Sequence, residues 1–514
     1  MSHTIEQTTE FLLGLGLTTP QSNVILEEAS KENSKVVESV VSQLFPDQVD
    51  FPGAEAYTQS IKGNWSYLAR REPSAIFHPT SPSQVASVLK ALEFFGEKFA
   101  IRGGGHSPNP GWAGIQDGLL ISTDRLNKLE LNAKSGVVSV GAGNRWRDVY
   151  KYLDEFKLIT TGGHSAPVGC VGQITGCGNS PWFHKYGWSS ENVVNFEIVT
   201  SGGNILNCNE DDNADLWWAL KGGSNNFGIV TRMDMKTFPC PNGVWGGNIY
   251  WEHTPETQRN TVAAYHDFAM QRIGVDPGVE TLAGWGVFDG HKYIQCVLSA
   301  DRNVPEGGHP EAFNGFYDLS PGGQAGNCKP SELAAHDVIE EGNEHSPIYF
   351  SENTRSSMLN ITVKTDLSYL QEAAEIFFET YAESSQTKGA IACLNLSPIA
   401  ARTIRISNKR GGTAPGWDEE DQTIVFLDNA WIRGEDDDYM LSTGNRCMER
   451  LRAAAQKRGV LKPQIWMNNA GPNDDVIGNY APDNLKRLRE IAAKHDPNQT
   501  FQILCSGGYK LGQK

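Results

Sequence analysis

Ile101-Arg102-Gly103-Gly104-Gly105-His106-Ser107 is the stretch on which the reading of this chain turns. It closes a strand–helix–strand pattern. Ala75-Ile76-Phe77 reads as a short buried strand ending at His78-Pro79. Ser81 is placed to cap a helix with Pro82 in its first turn, and Gln84 can reach back to complete a capping box. Val85, Val88, Leu89 and Leu92 form one apolar stripe, Gly96 stops the helix, and Phe99-Ala100-Ile101 runs as a strand into the glycines. Glycines after a strand let backbone N–H groups approach an anion, because no Cβ intervenes and positive φ carries no penalty. A pyrophosphate is the natural guest. The order of the glycines is not that of the G-x-G-x-x-G dinucleotide fingerprint, so a plain turn stays open beside a phosphate loop. His106 at the mouth of the loop, followed by Pro108-Asn109-Pro110-Gly111, favours the loop.

Arg102-Gly103-Gly104-Gly105-His106-Ser107 resembles the flavin-attachment motif of the FAD-linked oxidases of the vanillyl-alcohol oxidase superfamily, with its PCMH-type FAD-binding domain, in the berberine-bridge-enzyme-like branch. The resemblance implies FAD bonded covalently through its 8α-methyl to His106. A second glycine-dense stretch, Gly162-Gly163-His164-Ser165-Ala166-Pro167-Val168-Gly169 onward to Gly178, is poor material for a regular element. In the family this stretch wraps the flavin ring and diphosphate, which implies cofactor contacts from Gly163, His164, Val168, Gly169, Gly172, Gly176 and Gly178. Some relatives attach the flavin a second time through a cysteine. Ser165 stands at that position and cannot form a thioether, so single attachment is expected. Cys170 and Cys177 read as small buried side chains, with reactive thiols the alternative.

Ser224-Asn225-Asn226-Phe227-Gly228-Ile229-Val230 matches a further family signature, in which a polar turn brings donors to the cofactor from Asn225, Asn226, Gly228, Ile229 and Val230. By itself it would read as a plain hairpin. The family often carries Tyr-x-Asn before its last segment, with the tyrosine working on substrate. Here the run is Trp466-Met467-Asn468: Asn468 keeps the flavin contact, while Trp466, which cannot accept a proton, is left as a substrate contact. Asp428, inside Ile424-Val425-Phe426-Leu427-Asp428, is the substitute base, since burial would raise its pKa towards that use. The alternative is an edge-strand carboxylate facing water. Tyr480 and His164 are further candidates, and Asn395 and Ser397 could line a substrate pocket.

Bulk properties narrow the classes. The 514 residues allow more than one core, and 39% hydrophobic with 20% charged residues describe an ordinary globular chain. A net charge of −17 argues against nucleic-acid partners and anionic membranes. Nine cysteines without a C-x-x-C pair suggest neither a disulfide framework nor a metal site. No basic, apolar leader precedes the first helix, so a cytoplasmic address is expected.

The fold expected is α+β. Residues 1–240 form a FAD-binding domain of two α/β subdomains with an N-terminal helical cap. Residues 241–464 form a substrate domain with an antiparallel sheet backed by helices, and 465–514 return to the first domain. In the substrate domain the strands expected are Gly247 to Glu252, Tyr293 to Leu298, Ile391 to Leu396 and Thr423 to Ile432. The helices expected are Glu256 to Arg272, Leu367 to Ser384 and Tyr439 to Arg458, with a loop from Val304 to Ser331. The function expected is an oxidase that passes a hydride from a small organic substrate, such as an intermediate of specialised metabolism, to the flavin, with O2 as reoxidant. Val168 leaves oxygen a path in relatives that share it, although it also serves as a packing residue. A carbohydrate or alcohol oxidase, a redox-neutral cyclase retaining its flavin, and a non-catalytic binding protein are the alternatives.

Overall fold

A computed structural model describes residues 3–31, 35–305, 307–319, 329–331, 348, 351–382 and 387–512. Three short helices, α1 (Ile5–Gly14), α2 (Thr19–Ala29) and α3 (Val36–Leu44), lie over a four-stranded sheet. Its strands are β1 (Val49–Asp50), β2 (Ala75–Phe77), β3 (Phe99–Arg102) and β4 (Leu119–Ser122), in the order β1-β2-β4-β3. β2 and β3 both run parallel to β4. The crossover helix between β2 and β3 is α4 (Pro82–Phe95), whose buried stripe is the predicted one. Ser81 Oγ accepts from Gln84 N, and Gly96 ends the helix at φ +68°. The reciprocal bond differs from expectation. Gln84 Oε1 accepts from Thr80 N and Thr80 Oγ1, one residue upstream of the cap.

The second sheet is antiparallel throughout: β5 (Leu129–Asn132), β6 (Val137–Gly141), β7 (Val193–Thr200), β8 (Asn204–Asn209) and β9 (Ile229–Lys236), in the order β5-β6-β9-β7-β8. Helix α5 (Trp146–Asp154) buries Trp146, Val149, Tyr150 and Leu153 against it. Ile465, Met467, Ala470, Tyr480 and Leu488 join the same core, the last from the C-terminal helix Pro482–His495. The tail continues along β3, where Phe99 N donates to Leu504 O and Ser506 N to Phe99 O.

The third sheet has eight strands: β10 (Val244–Glu252), β11 (Val279–Phe288), β12 (His291–Ala300), β13 (Lys329–Ser331), β14 (Arg355–Lys364), β15 (Ala390–Ile399), β16 (Gln422–Trp431) and β17 (Leu461–Lys462). They stand in the order β13-β10-β12-β11-β15-β16-β14-β17, antiparallel at every pairing. The helices Pro255–Asp267, Leu367–Thr380 and Asp437–Arg458 cover one face. The α+β architecture with an antiparallel sheet backed by helices is the one expected.

Two ten-residue strands of the third sheet escaped the sequence reading. β11 contains Gly284 and Gly286, which look like breakers, and β14 mixes Ser356, Ser357, Asn360 and Thr362 with its apolar residues. Of the loop expected over Val304 to Ser331, the described part holds short turns of helix at Glu311–Phe313 and Asn314–Tyr317, and β13. Residues 306 and 320–328 of it lie outside the described residues, as do the last two residues of the helix expected to reach Ser384.

Candidate active site

The glycine loop after β3 faces the loop after Gly162, and the two backbones touch. A Cβ on Gly104 would lie 2.4 Å from both N and Cα of Gly169, so neither position admits a side chain without parting the loops. The second loop is laced to the start of α5: Trp146 N donates to Val168 O, Arg147 N to Ala166 O, and Cys170 N to Asn144 O. Gly162 and Gly163 are small because the Trp146 indole occupies the space their side chains would take.

Between these loops and the third sheet lies a cavity of about 850 Å³. Gly103, Gly104, Gly105, His106 and Ser107 line it, with Gly163, His164, Val168, Gly169 and Gly172. Asn225 and Gly228 come from the turn before β9, Ile229 and Val230 from the start of β9, and Trp466 and Asn468 from the tail. His106 lies flat against Trp65, ring centroids 4.6 Å apart and planes 8° apart. Burial, reinforced by Arg145, lowers its imidazole to about 3, so the ring is uncharged at neutral pH. His106 Nε2 is buried with no hydrogen-bond partner, as are Gln173 Oε1 and Asn468 Oδ1. Orphan polar atoms at one cavity wall are costly unless a ligand satisfies them.

The opposite wall is the uncovered face of the eight-stranded sheet. Period-two alternation sends Tyr293, Gln295, Ile391, Cys393, Asn395 and Asp428 into the cavity. Between them Ile294, Cys296, Leu394, Leu396 and Leu427 turn back into the helix-covered core. Across the strands Tyr293 pairs with Gly286, Gly286 with Cys393, and Cys393 with Asp428. A Cβ on Gly286 would lie 2.1 Å from Tyr293 Cζ. The glycine lets the ring cross its strand, and the Tyr293 hydroxyl hydrogen-bonds Cys393 Sγ at 3.2 Å. Burial first, then Cys393 and finally Asp428, push that phenol well above its ordinary pKa.

Asp428 is half-buried on the interior strand β16, flanked by β15 and β14, and faces this cavity. The water-facing edge position is thereby excluded. Trp466 is fixed by Asn360 of β14, which donates to Trp466 O and accepts from Trp466 N, both at 2.9 Å. His164 bridges the two halves of the cavity, its Nε2 2.6 Å from Glu280 Oε2 of β11.

A protein-family model described as an FAD binding domain matches residues 73–209. The FAD-dependent monooxygenase prx3 of Penicillium roqueforti is 30% identical over 497 residues, covering 92% of both chains. The chain belongs to this family of FAD-dependent oxidoreductases. Among solved structures this flavoenzyme shares its fold with the carbohydrate oxidase of Microdochium nivale, at 20% identity and a TM-score of 0.75. That match covers 93% of this chain and 100% of that one. A single-residue variant of berberine bridge enzyme, a reticuline dehydrogenase, superposes at a TM-score of 0.71 with 16% identity over 89% and 96% of the two chains. FAD is the cofactor of the family, and the facing glycines and orphaned polar atoms fit it.

Several residues singled out from the sequence sit behind the cavity wall of this flavoenzyme. Arg102 is buried below the glycine loop, where its guanidinium donates to Ser60 O, Ser60 Oγ, Asn64 Oδ1 and Ser122 Oγ. Asn226 Nδ2 donates to Gly223 O and Tyr509 O, tying the tail to the turn. Gly176 packs under the Asn468 amide and Gly178, at φ +68°, under that of Gln173. Ser397 Oγ accepts from Asn179 Nδ2 at 3.2 Å, one step deeper than Asn395. Tyr480 is removed from the reacting region: its hydroxyl donates to Gly222 O at 2.7 Å, and burial raises it well above the ordinary phenol. Burial also pushes the Cys170 and Cys177 thiols up, against the reactive alternative.

Trp65, Glu280, Tyr293, Gln295 and Cys393 were not found from sequence. Each gains its position from a partner distant in the chain, and no local spacing marks it. The Gly286 lane gives a direct test. Gly286→Ala is expected to cost about 1–3 kcal/mol of stability by overpacking. Most of that should return when Tyr293→Ala is combined with it, a coupling measured by denaturant unfolding of the four proteins.

Among the described residues no helix is long and apolar enough to cross a membrane, and no group of three or more His, Cys, Asp or Glu could hold a metal ion.

Proposed function

We propose that this FAD-dependent oxidoreductase is an oxidase of small, mainly apolar organic molecules, with FAD tethered once, through His106. The observation that carries the reading is the placement of Asp428. It is a carboxylate on an interior strand, set among Phe426, Met358 and Ile391 on the wall opposite His106. Among the described residues no lysine or arginine lines the cavity, which disfavours phosphorylated or carboxylated substrates. FAD bound here would supply the acceptor for a hydride, that is, for two electrons and one proton. In this reading Asp428 takes the proton leaving the substrate's hydroxyl, Asn395 and Trp466 orient the substrate, and the sheet wall excludes water. Val168, at the edge of the glycine loop, leaves dioxygen access to the ring. Ser165, unable to form a second link, leaves the ring joined at one point. The relative from Penicillium roqueforti is named a monooxygenase and not a sugar oxidase, which places carbohydrate oxidation second.

Anaerobic mixing of the purified holoenzyme with 4-hydroxybenzyl alcohol, coniferyl alcohol and D-glucose tests the reading. An aromatic alcohol is expected to bleach the flavin, and readmitted oxygen to restore the colour with one hydrogen peroxide per turnover. Bleaching by glucose alone would make the protein a carbohydrate oxidase. Oxygen from labelled dioxygen in the product would make it a monooxygenase, and turnover without bleaching a cyclase.

A further inference from the structure

We propose that Trp65 is the positioning residue that presents His106 to the flavin for covalent attachment, and that Arg102 acts through it. The inference rests on the tether reading above and adds the device that would make the tether form. Trp65 belongs to neither glycine loop. It is brought to His106 by a chain of contacts that starts in the motif itself. Arg102, at the end of β3, donates to Ser60 O and Ser60 Oγ at 2.6 Å each and to Asn64 Oδ1 at 3.1 Å. Asn64 is fixed from its other side, where Nδ2 donates to Ala113 O at 3.1 Å. Trp65 N then donates to Gly105 O at 3.0 Å, one residue before His106. Gly105, at φ +66°, has no room for a side chain, since a Cβ would lie 2.7 Å from Gly63 O. Two segments far apart in sequence are thus clamped with the indole parallel to the imidazole.

The clamp matters because attachment is a bond-forming step between a side chain and a bound ring. Attachment would join one imidazole nitrogen to the 8α carbon, with loss of one C–H hydrogen of that methyl and of the imidazole's own N–H proton. The electron pair of the broken C–H bond would stay on the flavin until dioxygen takes it, together with two protons, as hydrogen peroxide. The rate of such a step depends on holding the nucleophile within reach and in line. An unstacked histidine in a cavity this size would sample several rotamers. The stack leaves one plane, and burial keeps the nitrogen lone pair unprotonated.

The test compares full-length wild type, Trp65→Phe, Trp65→Ala, Trp65→Leu and His106→Ala, each purified with FAD. Total flavin per chain comes from the visible spectrum. The tethered fraction comes from acid precipitation and from fluorescence of the denatured band. Wild type and Trp65→Phe are expected to hold their flavin through acid. Trp65→Ala and Trp65→Leu should bind FAD at similar stoichiometry but release it, with the tethered fraction down at least roughly fivefold at equal times. A wild-type tethered fraction in both variants would overturn the proposal, and if alanine fails to fold, leucine alone decides. A phenylalanine variant as poor as leucine would overturn stacking as the cause. Wild type that releases all its flavin in acid would instead sink the tether reading itself, a distinct result.

Discussion

Asp428→Asn is expected to slow flavin reduction by a bleaching substrate by roughly 10²–10⁴-fold, the usual contribution of a positioned base. Flavin content and visible spectrum should stay at wild-type values, because Asp428 stands on the sheet wall and not among the cofactor loops. Asparagine keeps the shape and one acceptor oxygen but cannot take the proton, so the loss should fall on the reduction rate and leave substrate affinity within a few-fold. Stopped-flow absorbance under argon separates the two. A reduction rate within threefold of wild type would remove Asp428 from proton transfer and leave His164, held by Glu280, as the remaining candidate from the sequence.

His106→Ala should give a second large effect. Its flavin is expected to be released by acid and to be a weaker oxidant, since the nitrogen substituent on the 8α carbon withdraws electron density. A fall in midpoint potential on the order of 50 mV follows if the tether contributes about 2 kcal/mol to the reduced form. Turnover should drop roughly tenfold to hundredfold, or about 1.4–2.7 kcal/mol of barrier. Xanthine/xanthine oxidase titration with a reference dye measures the first quantity and oxygen consumption the second. Unchanged potential with lost acid-stable flavin would show that the link serves retention alone.

What could be read from the sequence was what is local. The β2–α4–β3 unit was readable because cap, apolar stripe, glycine stop and strand follow in one short run. The first glycine loop was readable because its composition disfavours regular structure; the second was read the same way, yet it carries a short helix at Cys170–Thr175 that its glycines hid. β11 was hidden because its two glycines, which serve the side chains of neighbouring strands, mimic a break. Arg102 read as a cofactor contact by adjacency to the glycines, yet strand alternation turns it below the loop to Ser60 and Asn64. Asp428 could be placed in a strand but not on a face. Whether that strand lay inside the sheet or at its edge depended on β14, which the sequence did not reveal.

The threading of the tail sets an order on biogenesis. Trp466 and Asn468 complete the cavity wall, Asn226 waits for the Tyr509 carbonyl, and β3 gains its outer neighbour only from Leu504 and Ser506. A nascent chain still held by the ribosome at those residues has a nucleotide cleft with one side missing. Capture of the dinucleotide, and any bond to it, therefore follows the emergence of the segment from Trp466 to Tyr509, so starving cells of riboflavin after synthesis has begun should leave a pool of apoprotein that can still be loaded.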